Sequence, residues 1–316
     1  MVQTLQSTLG QAGRGRRKVD VIFVVLTAQR PEERARFSWR RLFERKQAQI
    51  EYVKRDRIRF AVITWSGSLS DMDWEEIAEM AGRAGRMLVL PRQITPPEEL
   101  GLSRLPVWEY ADQVARQFVL QTIQQSPLPL YRKSIGVVDL RGSAVPFVRQ
   151  AIRYASVVRV VTRNQAMYDG VAEEMMETYG ASVLVSQNQD DAYRCAIVYA
   201  PHGLTDRHSA EISPPIVTVD RVEVAGHARV INGFHQQIPE DILALKPPMI
   251  ADGDFLAALW QMCGQRELST LPIDRCRVGD NDVSLGDVSM YLAKMEEKER
   301  QGDTALRRAE ESTVRA

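Results

Sequence analysis

The sequence predicts an α/β protein, with a Rossmann-like, doubly wound, mostly parallel sheet and a second, smaller N-terminal α/β domain. The chain has 316 residues, more than the roughly 100–200 of a typical single domain. Its central part alternates β-branched runs with helical segments, the pattern of parallel strands joined by crossover helices. A shorter alternation of the same kind occupies residues 19–91. Two cores are therefore expected.

Composition excludes several classes of protein. Apolar residues make up 44% of the chain and charged residues 26%, which excludes collagen-like and wholly disordered chains. The longest apolar run, residues 21–26, is far shorter than the about 20 residues that cross a bilayer, so no membrane span is expected. The three cysteines, Cys195, Cys263 and Cys276, are widely spaced, which favours a reducing, cytoplasmic location and predicts neither a disulfide framework nor a metal site.

Charge is balanced overall but uneven along the chain. There are 41 basic and 41 acidic residues, so no overall field attracts nucleic acid or an anionic membrane. Residues 1–60 contain fifteen basic and six acidic side chains, and residues 1–18 are predicted to be a disordered basic arm. Because aromatic stacking residues and a recognisable binding motif are missing, nucleic acid is disfavoured as a partner.

The segment 19–125 is predicted to form the smaller domain and a connector helix. Strands are predicted at residues 19–26, 58–64 and 87–90, and helices at 31–49, 73–84 and 108–125. Pro31 followed by two acidic residues is a favourable first turn for the first of these helices. The prolines at 127 and 129 end the connector helix, and the domain boundary is predicted within residues 126–132.

Residues 133–235 are predicted to form the Rossmann-like nucleotide-binding domain. Strands are predicted at 134–139, 157–162, 181–185 and 195–199, and helices at 144–155 and 166–179. This order is typical of a mononucleotide-binding half of a doubly wound sheet. Ligands of such sheets bind at the carboxyl ends of the strands, so the turns after Asp139, Thr162 and Tyr199 should converge on one crevice.

The remaining residues are predicted to complete the fold without chemistry of their own. Residues 236–293 are interpreted as a C-terminal wrap with helices, and a last helix is predicted from residue 284 to about residue 300. Residues 294–316 are dense in charge and lack an apolar period, which predicts a charged tail that frays.

Three segments of the central region carry a resemblance to a known family. They are the strand-turn-helix IGVVDLRGSAVPFV, the basic turn VVTRNQ after the second strand, and YAPHGL after the fourth. With them, residues from about Lys133 to Asn232 resemble the NADP-binding domain of the shikimate dehydrogenase and glutamyl-tRNA reductase superfamily. This similarity covers less than a third of the chain. The whole chain also resembles uncharacterised proteins of clostridial-type bacteria.

The resemblance implies NADP as the cofactor. A basic residue after the second strand suits the 2′-phosphate of NADP, whereas NAD-selective sites place an acidic residue there. Arg163 stands at that position between Thr162 and Asn164; a solvated surface arginine is the alternative interpretation. In the third segment, Pro201 and Gly203 would line the crevice, and the histidine between them either faces the nicotinamide or is simply exposed.

The turn after the first strand departs from the family's glycine fingerprint. Asp139 and Arg141 occupy the places of two glycines, and Gly142 alone remains. Asp139 should repel a pyrophosphate, while Arg141 could block the site or donate a charge-assisted contact. The backbone amides at Ser143 and Ala144 still offer donors to an anion. Arg141, Gly142 and Ser143 are therefore the candidate phosphate contacts.

No catalytic residue is identified from the sequence. Residues 1–125 contain no stretch like the Lys–Asp pair of shikimate dehydrogenases, and no cysteine precedes Cys195 to act as the thiol of a glutamyl-tRNA reductase. The histidines at 208, 227 and 235 lack the spacing of a helical zinc site, and no GxSxG elbow is present. Cys263 is interpreted as a buried packing residue of an apolar helix.

Two classes of function remain. A Rossmann-like module that senses a nucleotide or assembles with partners explains the altered glycine turn and the missing acid–base residues. An NADP-dependent oxidoreductase, the alternative, explains the central fold and Arg163 but lacks identified chemistry. The sequence favours the first and leaves homo-oligomerisation open.

Overall fold

The computed structural model describes residues 22–26, 48–55, 58–65, 72–203, 214–220 and 229–298. The chain divides into two units, Met1–Leu105 with Pro247–Ile250 and Pro106–Lys246 with Ala251–Ala316. Each unit has its own sheet, and the predicted α/β class is confirmed. The basic arm 1–18, most of the predicted helix 31–49 and the tail beyond residue 298 lie outside the described residues.

The smaller unit contains a mixed four-stranded sheet. Its strands are β1 Ile22–Leu26, β2 Gln49–Arg55, β3 Ile58–Trp65 and β4 Leu88–Val89, in the order β2-β3-β1-β4. Strand β1 pairs in parallel with β3 and β4, as the crossover pattern predicted, and β2 pairs antiparallel with β3.

Strand β2 corrects the predicted helix, which was expected to continue through Gln49. That residue instead opens an edge strand that pairs with β3 from Gln49 opposite Thr64 to Arg55 opposite Ile58. The strand is mostly exposed, and its sequence QIEYVKR shows no strict apolar alternation. Pairing with β3 satisfies its backbone groups, and this tertiary effect outweighs a weak local pattern.

Helix α1, Trp74–Ala81, confirms the start of the predicted helix 73–84. The Asp73 side chain accepts a hydrogen bond of 3.0 Å from the Glu76 amide, the usual role of an N-cap residue. The helical path tightens to a 3-10 helix over Gly82–Met87. Ile77 packs with buried residues of β3 and β4 in the core of this unit.

The larger unit contains an eight-stranded sheet. Its strands are β5 Ser134–Val138, β6 Val157–Val161, β7 Ser182–Ser186, β8 Ile197–Tyr199, β9 Ile216–Val217, β10 Val230–Gln236, β11 Ile273–Val278 and β12 Asn281–Ser284. The sheet order is β12-β11-β10-β9-β8-β5-β6-β7. Strands β5 to β10 are parallel and follow the strand order of a Rossmann sheet, and β11 and β12 extend it antiparallel.

Helices cover this sheet. They are α2 Trp108–Gln125, α3 Val145–Ala151, α4 Ala166–Tyr179, α5 Asp190–Tyr193, α6 Glu240–Leu243, α7 Asp252–Met262 and α8, residues 285–298. Helix α2, which the sequence analysis grouped with the N-terminal segment, packs on the larger sheet, where the rings of Phe118 and Phe234 lie 5.0 Å apart. Helix α8 buries Leu285, Val288 and Leu292 and remains helical through residue 298, within the predicted charged tail.

Two details of the larger unit differ from the expected elements. Asp190–Tyr193, between the predicted strands 181–185 and 195–199, form the short helix α5, where no helix was predicted. The C-terminal wrap contributes the hairpin β11–β12, which was not predicted. Both strands are rich in charge. Strand β12 lies at the sheet edge and buries no residue, while β11, between β12 and β10, buries Ile273 and Cys276.

Gly136 marks a close approach of α5 to the middle of β5. A Cβ atom at this position would lie 2.8 Å from the carbonyl oxygen of Ala192. We expect Gly136→Ala to lower the free energy of unfolding by about 1–3 kcal/mol, because backbone must move to admit the methyl group. Urea unfolding measures the change.

Gly170→Ala, in helix α4, is the matched control. A Cβ there would meet no atom within 4 Å, so this substitution should raise the free energy of unfolding by about 0.5–1 kcal/mol. Equal changes at the two positions would contradict the close approach at Gly136.

Candidate functional site

The carboxyl ends of β5, β6 and β8 lie side by side at one edge of the parallel sheet. The pairing places Val138 opposite Val161 and Val137 opposite Tyr199. The loops that begin at Asp139, Thr162 and Ala200 therefore start from the same edge, where Rossmann sheets bind their ligands.

The Asp139 carboxylate fills the turn between β5 and α3. Its Oδ1 atom accepts hydrogen bonds from the backbone amides of Arg141, Gly142 and Ser143 at 3.2, 2.9 and 3.1 Å. Its Oδ2 atom accepts one from the Ala144 amide at 2.8 Å and another from the Tyr168 hydroxyl. Asp139 is buried, with 3% exposure. Its single carboxylate thus accepts hydrogen bonds from four successive backbone amides.

Hydrogen bonding keeps this carboxyl group ionised. Burial alone would raise the pKa of Asp139, but the hydrogen bonds from Tyr168 and from the amides of Ala144 and Ser143 outweigh it and lower the pKa. The carboxylate therefore occupies the place against these amides that a bound phosphate would take. The assignment of Arg141, Gly142 and Ser143 as phosphate contacts stays a prediction, and the pairing of their amides with Asp139 opposes it.

Met167 covers the same turn from α4. Gly142 has a φ of +82°, and a Cβ atom there would overlap the Met167 sulfur. The side chain of Arg141 is exposed, so the closure comes from Asp139 and Met167. Arg141, which the sequence analysis considered as the blocking residue, contributes its amide.

The second turn presents Arg163 to solvent. Thr162 is fully buried, and its Oγ1 atom accepts a hydrogen bond of 3.1 Å from the Asn164 amide. Arg163 and Asn164 are exposed and come just before helix α4. This arrangement is compatible with both interpretations of Arg163, the 2′-phosphate partner and the solvated arginine.

The third turn follows β8. Pro201 is buried, and Gly203 has a φ of +76° with its amide bonded to the Ala200 carbonyl at 2.9 Å. Between them, the His202 ring stacks on Trp108, the first residue of α2, with centroids 5.0 Å apart and planes inclined by 7°. Its Nδ1 atom lies 3.1 Å from Oδ2 of Asp220.

A buried charged cluster lies beside these turns and was missed by the sequence analysis. The Arg116 Nη2 atom is 2.7 Å from Oδ2 of Asp112, and its Nε donates to the Tyr199 hydroxyl at 3.1 Å. The Tyr199 hydroxyl donates to Asp112. Arg116 also reaches the Ser143 carbonyl at 3.5 Å. The i, i+4 spacing of an acid and a base on an otherwise apolar helix face was the available signal.

Burial dominates the electrostatics of this cluster. It raises the pKa of Asp112, although Arg116 and the Tyr199 hydrogen bond act in the opposite direction. Burial and the neighbouring Asp112 charge raise the pKa of Tyr199. Burial would lower the pKa of Arg116, but Tyr199 and Asp112 more than compensate and raise it. Arg116 therefore keeps its positive charge.

Cys195 and Cys276 are not activated thiols. Burial raises the pKa of Cys195 to about 11 and that of Cys276 to about 12, so both are thiols at neutral pH. Cys263 is half-buried, whereas the sequence predicted a buried packing residue. Over the described ranges, no group of three or more His, Cys, Asp or Glu side chains is placed to hold a metal ion.

The described helices include none with the length and apolar character that a membrane span requires.

Comparison with solved structures finds only weak similarity. No family model matches the chain, and no curated protein sequence does. A lysine cyclodeaminase, solved to show its recognition of L-lysine, L-ornithine and L-2,4-diaminobutyric acid, is 10% identical with a TM-score of 0.25. The similarity covers 61% of this chain and 60% of the cyclodeaminase chain, less than two thirds of that protein. L-Tryptophan dehydrogenase from Nostoc punctiforme is 14% identical over 94% of this chain and 89% of that one, with a TM-score of 0.29.

Similarities this weak carry no argument about function. The strand order defines the larger unit as a Rossmann-type α/β domain, and the resemblance to shikimate dehydrogenases stays a prediction.

Proposed function

We propose that the larger unit is a Rossmann-like sensor or assembly module whose phosphate-binding turn is closed by its own carboxylate. The observation that carries this proposal is the Asp139 side chain, which accepts the four amides of residues 141–144. A catalytic dinucleotide site needs those amides directed at the pyrophosphate.

A pyrophosphate at this turn would meet a buried negative charge. Repulsion between like charges a few ångströms apart is strong in a partly buried site. A nucleotide that uses the turn must therefore first displace Asp139 from its amide partners. Such binding is weak in the resting protein, as suits a sensor and not a permanently held cofactor.

We propose NADP as the nucleotide, with its 2′-phosphate paired to Arg163. Arg163 is exposed at the carboxyl end of β6, the position that reads the ribose substituent in Rossmann sheets. Thr162 and Asn164 flank it, and Pro201 and Gly203 would border the ligand on the neighbouring turn.

A thermal-shift panel with NADP, NAD, S-adenosylmethionine and ATP tests this proposal on the full chain. A ligand present at 100 times its dissociation constant adds about 2.7 kcal/mol of stability. We expect NADP to give the largest response and to require high concentration. No response to any of the four nucleotides would overturn the nucleotide part of the proposal.

Arg163→Ala separates NADP from NAD. The variant should bind NADP more weakly by about 1.5–3 kcal/mol, the usual contribution of a hydrogen bond to a charged group, and bind NAD almost unchanged. Titration calorimetry with the two cofactors measures the difference. Equal losses for NADP and NAD would show that Arg163 does not read the 2′-phosphate.

An NADP-dependent oxidoreductase is the second candidate, and the pairing of His202 with Asp220 at the same sheet edge favours it. A dehydrogenase needs a group that exchanges a proton with the substrate while hydride moves to or from the nicotinamide. Oxidation of NADPH in the presence of a panel of ketones and 2-oxo acids would support this candidate over the sensor.

A further inference from the structure

Two of the described residues, Trp108 and Asp220, contact the His202 side chain. Its ring lies parallel to the Trp108 indole, and its Nδ1 atom contacts the Asp220 carboxylate. The His202 side chain is 36% exposed and that of Asp220 is 46% exposed. A solvated loop histidine would not need both a stacked ring and a carboxylate partner.

Backbone hydrogen bonds fix the two loops that carry this pair. The amides of Val219 and Asp220 both donate to the Pro201 carbonyl, at 3.1 and 3.2 Å. The Thr218 hydroxyl donates to the Asp220 carbonyl at 3.0 Å. The loop after β9 is thereby tied to the loop after β8, so the histidine and the carboxylate keep their relative position before any ligand binds.

The contact with Asp220 determines which ring nitrogen is available. A carboxylate at Nδ1 favours the tautomer with the proton on Nδ1, which leaves the lone pair on Nε2. In the part of the chain that the structure describes, Nε2 of His202 takes part in no hydrogen bond or ion pair. This is the arrangement of a general base with an orienting carboxylate.

We propose that His202 is a proton-transfer residue and Asp220 its positioning residue. In the transfer, Nε2 forms a bond to the proton of a ligand O–H or N–H group as that bond breaks, and Asp220 stabilises the resulting imidazolium. The proton then returns from Nε2 to the ligand or passes to water. No electron is gained or lost, so the step needs no further reactant.

The surrounding charges select the class of ligand. The buried carboxylate of Asp112 is close enough to interact electrostatically with His202, and Asp220 adds a second negative charge. Arg116 is already paired with Asp112 at 2.7 Å. Among the described residues, these three side chains sum to one negative charge beside His202, which favours a small alcohol or amine that is neutral or positively charged and disfavours an anion.

This inference goes beyond the proposed function, since it requires no nucleotide. Its test contains no nucleotide either, so its failure leaves the sensor proposal standing, and a negative nucleotide panel leaves this inference standing.

Hydrolysis of p-nitrophenyl acetate by the full chain is the test. The reaction reports on the Nε2 lone pair, which is the group that would accept the proton. Nε2 attacks the ester carbonyl, p-nitrophenolate leaves, and water cleaves the acetyl-imidazole to acetate. We expect His202→Gln to remove most of the protein-dependent rate. The corresponding anionic ester, p-nitrophenyl hemisuccinate, should react more slowly with the protein, relative to free imidazole, than the neutral acetate does.

His235→Gln is the matched control. His235 has a similar exposure of 39% and also faces a carboxylate, but its Nε2 atom lies 3.6 Å from Asp282, so the carboxylate is at the other ring nitrogen. We expect His202 to account for about tenfold more of the rate than His235. The histidines at 208 and 227, the only others in the chain, are unchanged in both variants.

Asp220→Asn tests the positioning role. The variant should lose several-fold of the His202-dependent rate, and the ¹⁵N NMR signals of His202 should show loss of the Nδ1–H tautomer. A similar rate in His202→Gln and His235→Gln would overturn the proton-transfer role. An unchanged rate and tautomer in Asp220→Asn would overturn the assignment of Asp220. Circular dichroism of each variant reports whether it folds.

Discussion

Replacing Asp139 with alanine is expected to lower the free energy of unfolding by about 3–5 kcal/mol, because several buried donors lose their acceptor at once. The amides of Gly142 and Ala144, at 2.9 and 2.8 Å, and the Tyr168 hydroxyl all depend on this one side chain. Urea unfolding followed by circular dichroism gives the change directly.

Ser143→Ala is the control for the same turn. It removes a hydroxyl that donates to Asp139 at 3.4 Å and leaves the backbone amide at 3.1 Å in place. We expect a loss of less than about 1 kcal/mol from this variant. If Asp139→Ala costs no more than Ser143→Ala, the carboxylate does not hold the turn.

The difference between wild type and Asp139→Ala should depend on pH. The pKa of Asp139 is lowered in the folded protein, so its contribution is fully present above the unfolded pKa of about 3.9. That contribution is lost as the pH falls through the folded pKa. The two proteins should therefore approach equal stability only in strong acid, and a gap that is constant from pH 7 to pH 2 would contradict an ionised Asp139.

The sequence could predict that Asp139 is unusual but not what it does. The sequence shows that Asp139 stands where the fingerprint has a glycine, and its negative charge predicts that it repels a phosphate. The rotation of the carboxylate into its own turn depends on four amides that converge only when Gly142 takes a φ of +82°. Side-chain hydrogen bonds to nearby backbone amides compete in this way with ligand binding.

Buried parallel strands were predictable because their β-branched runs are continuous. Strands β5 and β6 contain such runs, and their predicted bounds agree with the structure to within one residue. The edge strand β2 and the hairpin β11–β12 carry charges and lack such runs, so their pairing is decided by neighbours distant in sequence.

The ionic cluster of α2, at the candidate site, also depends on residues that are distant in sequence and could not be predicted. The apolar spacing of the helix could be seen in the sequence. The buried cluster also needs Tyr199, more than eighty residues later, whose hydroxyl contacts both Asp112 and Arg116. His202 was visible as a loop histidine, yet Trp108 and Asp220 come from two other segments. Only the folded chain brings these groups together.

Arg116→Met is expected to lower the free energy of unfolding by about 3–5 kcal/mol at neutral pH, because it leaves the Asp112 carboxylate buried without its cation. Asp112 is 4% exposed and Arg116 9% exposed, so little water replaces the lost partner. The matched control is Arg149→Met. Arg149 forms an ion pair with Glu174 at the same 2.7 Å distance, but both side chains are about half exposed, and its loss should cost less than about 1 kcal/mol.

The pH dependence of Arg116→Met separates a lost charge from lost packing. Burial raises the folded pKa of Asp112, and Arg116 restrains that rise. Between the unfolded pKa, about 3.9, and the raised folded pKa, the folded state binds more protons, so this group makes stability fall as the pH rises. Removing Arg116 raises the folded pKa further and widens that window. The deficit of the variant should therefore be small near pH 4 and grow toward pH 7, whereas a deficit that is the same at both pH values would show that the guanidinium acts by packing alone.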